Sequence, residues 1–202
     1  CIQCGLCVEA ASAGRLAMVP DYELSVRHRA NLVVNASDGV DETGALEIES
    51  VQLESAIKRL FKRSLHIRHV DAGSCNACES EIKQLTSPYY DLHRLGIFFS
   101  TSPRHADALL VTGPVTRAME APLRRTYEAM PEPKLVIAMG ACACSGGIFA
   151  DGPVTHGGVA GILPVDVLIP GCPPSPLALI HGLLLAIGRV EQRLVPSEAS
   201  LR

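Results

Sequence analysis

From residue 64 onward the chain alternates short apolar runs with longer stretches in which apolar side chains recur every three or four positions. The runs 65–70, 95–99, 108–112, 135–139 and 165–169 are too short for helices, and polar or turn-forming residues bound them, so each predicts a strand. The stretches 77–86, 118–130 and 177–190 carry helical spacing. Pro88 closes the first, and Ser175 followed by Pro176 offers the last an N-cap and a first-turn proline. Apolar strands separated by helices predict an α/β domain, a mostly parallel sheet with helices on both faces. Such sheets place their functional loops at the carboxyl ends of the strands.

The pattern upstream is weaker. Residues 32–34 suggest a short strand, and 35–44 are polar and turn-like. The stretch 51–62 has helical spacing, with Leu53, Ile57, Leu60 and Phe61 on one face. Lys58, Arg59, Lys62 and Arg63 lie near its end, where cations complement a helix dipole and read as a solvated face. The resulting division is 1–20, a partial ferredoxin-type motif; 21–63, a connector with an amphipathic helix; 64–192, the α/β core; and 193–202, a tail.

Composition narrows the function. At 202 residues, 48% hydrophobic and 19% charged, the chain holds one good core and a small appendage. A net charge of −3 with no basic, aromatic-laced strip gives no nucleic-acid partner a foothold. No run approaches the ~20 apolar residues of a membrane span; the best, 177–187, is short and holds His181 and Gly182. The first residue is Cys1, inside a motif, and no secretory signal precedes it, so the expectation is a fragment or a processed product. In that setting eight closely grouped cysteines favour metal or redox chemistry over disulfides.

Cys1, Cys4 and Cys7 form the start of a bacterial ferredoxin run, which continues with three residues and Cys-Pro. Ala11 and Ser12 stand at those two places. In two-cluster ferredoxins that fourth cysteine serves the other cluster, so a cluster here needs its last ligand from sequence ahead of Cys1.

The other five cysteines follow expected strands: Cys75 and Cys78 after 65–70, Cys142 and Cys144 after 135–139, and Cys172 after 165–169. Cys78 falls in the first turn of the next helix, where free N–H groups and the dipole favour negative charge. Gly73, Gly140, Gly146, Gly147 and Gly171 let backbone approach sulfur, and Pro173-Pro174 stiffens the last loop. Cys142 and Cys144 are two apart, and in an extended segment would point the same way, so spacing does not choose between them. A zinc site favours two tight Cys-x2-Cys pairs or added histidine, and a thioredoxin-like dithiol leaves the later loops unexplained. An iron–sulfur cluster with scattered ligands fits better. Glu79 and Glu81 flank the first loop, where they read equally as proton-handling groups and as helix-start carboxylates. His66, His69, His93, His105, His156 and His181 show no ligand spacing and receive no role.

Four motifs in order carry a resemblance: Asp71-Ala72-Gly73-Ser74-Cys75-Asn76-Ala77-Cys78-Glu79, Leu110-Val111-Thr112-Gly113-Pro114-Val115-Thr116, Gly140-Ala141-Cys142 and Pro170-Gly171-Cys172-Pro173-Pro174. The chain resembles, over about 64–190, the 20-kDa subunit family of NADH:quinone oxidoreductase, which also contains small subunits of membrane-bound, energy-converting [NiFe]-hydrogenases. The motif ahead of it resembles the fused forms of hydrogenase-4 and formate-hydrogenlyase-like complexes. The resemblance implies a flavodoxin-like fold with one [4Fe–4S] cluster on Cys75, Cys78, Cys142 and Cys172, leaving Cys144 as an extra thiol. It also implies a second such cluster on Cys1, Cys4 and Cys7 if upstream sequence completes it. Quinone-reducing members resemble one another in two adjacent cysteines at the first site; Asn76-Ala77 separates Cys75 from Cys78 here, the hydrogenase arrangement.

The expectation is therefore an electron-transfer subunit, active only within a complex. Its partners would be a catalytic large subunit, membrane subunits and a ferredoxin-like donor or acceptor, on the cytoplasmic face of the inner membrane. The alternatives are a quinone-reductase subunit and, from another class, a zinc-stabilised docking protein.

Overall fold

The structure, a computed structural model, describes residues 1–11, 16, 18, 20–32, 64–150 and 152–193. The helix expected over 51–62 and most of the strand expected over 32–34 lie outside the described residues; Leu32 ends a 3-10 turn, Arg29–Leu32.

Five strands form one all-parallel sheet in the order β2-β1-β3-β4-β5. They are β1 (Leu65–Asp71), β2 (Ile97–Phe99), β3 (Ala108–Thr112), β4 (Leu135–Met139) and β5 (Val167–Ile169). This is the flavodoxin-like α/β order, with the chain reversing direction across the sheet between β1 and β3. The central strands β3 and β4 are buried at every residue, which is why they read as unbroken apolar runs. In register, Ala108 to Thr112 pair with Leu135 to Met139.

Alternate residues supply two cores. On one face Ile67, Leu110, Ile137 and Ile169 pack with Ile82 and Leu85, at the end of α2 (Ala77–Gln84), and with Leu179 and Leu183 of the later helix Pro176–Ala186. On the other, Leu109, Val111, Val136 and Leu168 pack with Leu123 of α3 (Arg117–Glu128) and with Val159 and Ile162. Helices thus cover both faces, as expected. Among the described residues there are also α4 (Gly140–Ser145), followed in the chain by Pro176–Ala186 as α5, and α1 (Leu6–Ala10) in the N-terminal segment. Ser175 caps α5, accepting a hydrogen bond from the Ala178 N–H, and Pro176 occupies its first turn.

Within the stretch read as a connector, Ser25, Val26 and Arg27 are buried. Val26 pairs antiparallel with Leu168, exchanging N–H···O bonds of 3.0 and 2.7 Å. This strap covers the side of β5 away from β4, satisfying backbone groups that an open edge would expose. Arg27 Nη2 donates to the Leu185 carbonyl at the end of α5 (2.7 Å), where the helix dipole favours a cation.

Candidate metal centre

The three core loops leave the carboxyl ends of β1, β4 and β5 and meet at one edge of the sheet. The first is shaped by Asp71: its Oδ1 accepts from the Gly73 and Ser74 N–H groups at 2.8 and 2.7 Å, turning the chain out of β1. Ser74 Oγ then accepts from the Asn76 N–H, and Asn76 takes a left-handed conformation (φ 70°) at the start of α2. Cys75 is exposed on this loop, and Cys78 is half-buried in the first turn of α2.

The loops after β4 and β5 are tied together by the Ala141 N–H, which donates to the Gly171 carbonyl at 2.7 Å. Gly140 is the meeting point. It has φ +88°, and a Cβ there would stand 2.8 Å from Cys78 Sγ, 3.6 Å from the Gly171 carbonyl oxygen and 4.0 Å from Pro174 Cδ. Gly147 leaves similar room beside Cys142, whose sulfur would be 3.2 Å from an added Cβ. Both glycines cradle sulfur atoms where a side chain would intrude.

The segment expected to be an extended loop at 140–145 is instead the short helix α4. The correction matters for the cysteine pair. In a helix, residues two apart point to nearly opposite sides, whereas in a strand they share one. Cys142 accordingly faces the other core cysteines, while Cys144 is buried, with its Sγ bonded to the carbonyls of Ala138 and Ile169 at 3.5 and 3.6 Å. Burial pushes the Cys144 thiol up to about 12, keeping it a neutral donor.

Cys75, Cys78, Cys142 and Cys172 are close enough to influence one another electrostatically. Burial first, then the negative charge of Glu79 and of Cys75, Cys142 and Cys172, pushes Cys78 up to about 12. Cys142 is raised by burial and by Cys172 and Cys75. Without a cation, Cys78 and Cys142 favour their protonated forms; a bound metal would release those protons. Among the described residues, no three His, Cys, Asp or Glu side chains close on a single metal ion. Cys1, Cys4 and Cys7 are exposed in the N-terminal segment, where Cys1 Sγ accepts from the Gln3 N–H at 3.3 Å.

A polar network beside Cys78 was not legible in the sequence. Glu79 accepts from Ser74 Oγ at 2.6 Å through Oε2 and from Thr112 Oγ1 through Oε1. Since the single Thr112 proton goes to Glu79, its oxygen accepts from His69 Nε2, 3.0 Å away. His69 thus has a structural partner, and burial holds its pKa below the ordinary value despite the pull of Glu79 and Asp71. The one sequence signal was polarity at the carboxyl ends of two apolar strands.

With the geometry in view, comparisons place the chain among known proteins. Residues 75–186 match the family described as NADH ubiquinone oxidoreductase, 20 Kd subunit. The chain is 44% identical over 158 residues to formate hydrogenlyase subunit 7 of Escherichia coli, covering 78% of this chain but 62% of that one, so it spans less than two thirds of that relative. It is 45% identical over 156 residues to a probable membrane-bound hydrogenase subunit of Pyrococcus furiosus, covering 74% of this chain and 93% of the relative. Among solved structures, a chain of the membrane-bound sulfane sulfur reductase, an archaeal respiratory membrane complex, aligns at TM-score 0.56 and 36% identity, covering 67% of this chain and 77% of that one. A chain of an NAD+-reducing [NiFe]-hydrogenase aligns at TM-score 0.52 and 18% identity, covering 69% and 99%, a likeness of fold.

Proposed function

Because this chain belongs to the NADH:ubiquinone oxidoreductase 20-kDa subunit family, a family of oxidoreductase subunits, we propose that it carries electrons within a membrane-bound hydrogenase complex through a [4Fe–4S] cluster held by Cys75, Cys78, Cys142 and Cys172. One observation carries the reading: loops from three separate strands bring those four thiols to a single sheet edge and turn the fifth, Cys144, into the core. When bound, the cluster supplies reversible uptake of single electrons. The residues do the rest. Gly140 and Gly147 keep space for the sulfurs, the Ala141–Gly171 hydrogen bond fixes two loops against each other, and the start of α2 offers its dipole to an anionic group. A second cluster at Cys1, Cys4 and Cys7 belongs to the same proposal, with its fourth ligand supplied from outside these residues.

The partner reading has its own support. Ile148, Phe149, Val154 and Leu177 are exposed on segments that follow the Cys142 and Cys172 loops, an apolar rim suited to another subunit. No helix among the described residues is long and apolar enough to cross a membrane. Membrane subunits hold the assembly at the cytoplasmic face in this reading. The catalytic large subunit covers the cysteine edge, and a ferredoxin-like protein exchanges electrons with the assembly. The 36% identity to a sulfane sulfur reductase chain supports a second reading, in which the partner reduces a sulfur compound instead of handling hydrogen.

Anaerobic purification of the complex tests the centre. About four irons with matching acid-labile sulfide on the core site, and an EPR signal on reduction, are expected. Stoichiometric zinc without sulfide would overturn the proposal. Hydrogen uptake against sulfane reduction by the same preparation separates the two partner readings.

A further inference from the structure

Glu79 adjoins Cys78, yet its carboxylate faces a set of hydroxyls on the neighbouring loop and strand. Its side chain is only 11% exposed. Each oxygen accepts one hydroxyl proton, Oε2 from Ser74 and Oε1 from Thr112. The bonds all run inward: His69 Nε2–H to Thr112, Thr112 O–H to Glu79, Ser74 O–H to Glu79. A carboxylate that only receives, from donors on two different elements, is fixed in place with both oxygens engaged.

Among the described residues no lysine or arginine pairs with this carboxylate. The nearest basic group is His69, 3.6 Å from Oε1, and its burial favours the neutral ring. Asp71, the last residue of β1, adds negative charge near His69, and Arg68 donates elsewhere, to the Thr101 carbonyl at 2.7 Å. Poor exposure keeps solvent from screening the charge, so it is felt strongly over a few ångströms. Its place beside the ligand loop is fixed: Glu79 follows Cys78 in the first turn of α2 and bonds Ser74, next to Cys75, so its charge repels negative charge on those sulfurs. The same repulsion opposes any extra electron placed on a group that Cys78 ligates.

We propose that Glu79 is a positioning residue that lowers the reduction potential of the core centre, by a fixed negative charge beside Cys78, and that it anchors the Cys75–Cys78 loop through Ser74. The inference rests on the cluster reading above. The redox step is one electron taken from a redox centre of a partner subunit and returned to another, with no bond made or broken in this chain. The two roles are told apart by substitution, because Glu79→Gln loses the charge yet keeps an oxygen that can accept from Ser74.

The test uses the complex purified anaerobically with this chain, titrated with redox mediators and read by EPR at one pH. Glu79→Gln keeps the shape and removes the charge; the midpoint potential is expected to rise, with iron and sulfide content retained. Asp71→Asn, which neutralises an exposed carboxylate of the same loop, is expected to move it much less. Ser74→Ala, which removes one of the two donors that fix the carboxylate but keeps the carboxylate itself, is expected to move the midpoint less than Glu79→Gln while speeding loss of the centre in air. A Glu79→Gln complex with a full cluster and an unmoved midpoint would overturn the inference, as would a shift matched by Asp71→Asn. Loss of the cluster in Glu79→Gln would also overturn it, leaving a purely structural carboxylate. An unmutated complex without iron and sulfide would instead refute the cluster itself.

Discussion

Gly140→Ala is the most direct probe of how the three loops share space. Two costs add. At φ +88° the backbone lies where an L side chain is disfavoured, by about 1–2 kcal/mol. The new methyl would also stand 2.8 Å from Cys78 Sγ, so the sulfur, the loop or both must move. Overpacking of that kind costs about 1–3 kcal/mol. The sum, roughly 2–5 kcal/mol, is a large part of the 5–15 kcal/mol that holds a typical domain together, so the variant still folds but melts of order 10 °C lower. Because the displaced atom is a proposed ligand, iron and sulfide per chain are expected to fall with it. Gly147→Ala is the companion: φ is +55° and the contact to Cys142 Sγ is a looser 3.2 Å, so its loss in both measurements is expected to be smaller. Anaerobic iron and sulfide analysis with thermal unfolding reads both. A Gly140→Ala chain with full metal content and an unchanged melting temperature would refute the shared-space argument.

Three other substitutions test other parts of the structure. Cys142→Ser should lose or convert the cluster while Cys144→Ser keeps its content and reduced EPR signal, because only Cys144 is committed to backbone carbonyls; the reverse pattern would mean the helix α4 has been given the wrong face. His181 is buried on α5 with no hydrogen-bond partner for Nδ1 among the described residues, and burial lowers its pKa against Glu23 and Asp21, with Arg193 adding to the fall. Its contribution to stability is therefore complete above an unfolded-state pKa of about 6.5 and is lost as pH falls below that. Unfolding measured from pH 7.5 to 5 should steepen less for His181→Leu than for the original chain, and equal slopes would contradict this.

Much of the fold was written in local patterns. Runs 108–112 and 135–139 became strands with the same bounds, because a central parallel strand buried on both faces must be apolar throughout. The last strand is two residues shorter than expected. Asp166 stays tied to β4, donating its N–H to the Val136 carbonyl at 2.9 Å, but its carboxylate takes the Val136 N–H at 2.7 Å, an arrangement that depends on a strand thirty residues earlier. The six residues Gly140–Ser145 are too few to show a period, so their helix, and with it the different fates of Cys142 and Cys144, was hidden. Likewise, His69, Glu79 and Thr112 lie 43 and 33 positions from their partners in the chain, and no spacing rule joins residues that meet only through the sheet.

The strap across β5 has a consequence for how the chain reaches its final form during synthesis. Ser25 bonds to Ala178, 153 positions later, and Arg27 to Leu185, 158 positions later. At typical elongation rates of about 5–20 residues per second, Arg27 waits roughly 8–30 s for its acceptor to be made. Through that interval the first four strands can pair with one another as they are made, but β5, which completes the pairing of β4, and its cover come last. Closure is thus a late, long-range event with a large loop to restrain. The nascent sheet stays open along one side until the final helix arrives, and that helix and the residues near the start of the chain then lock each other in place.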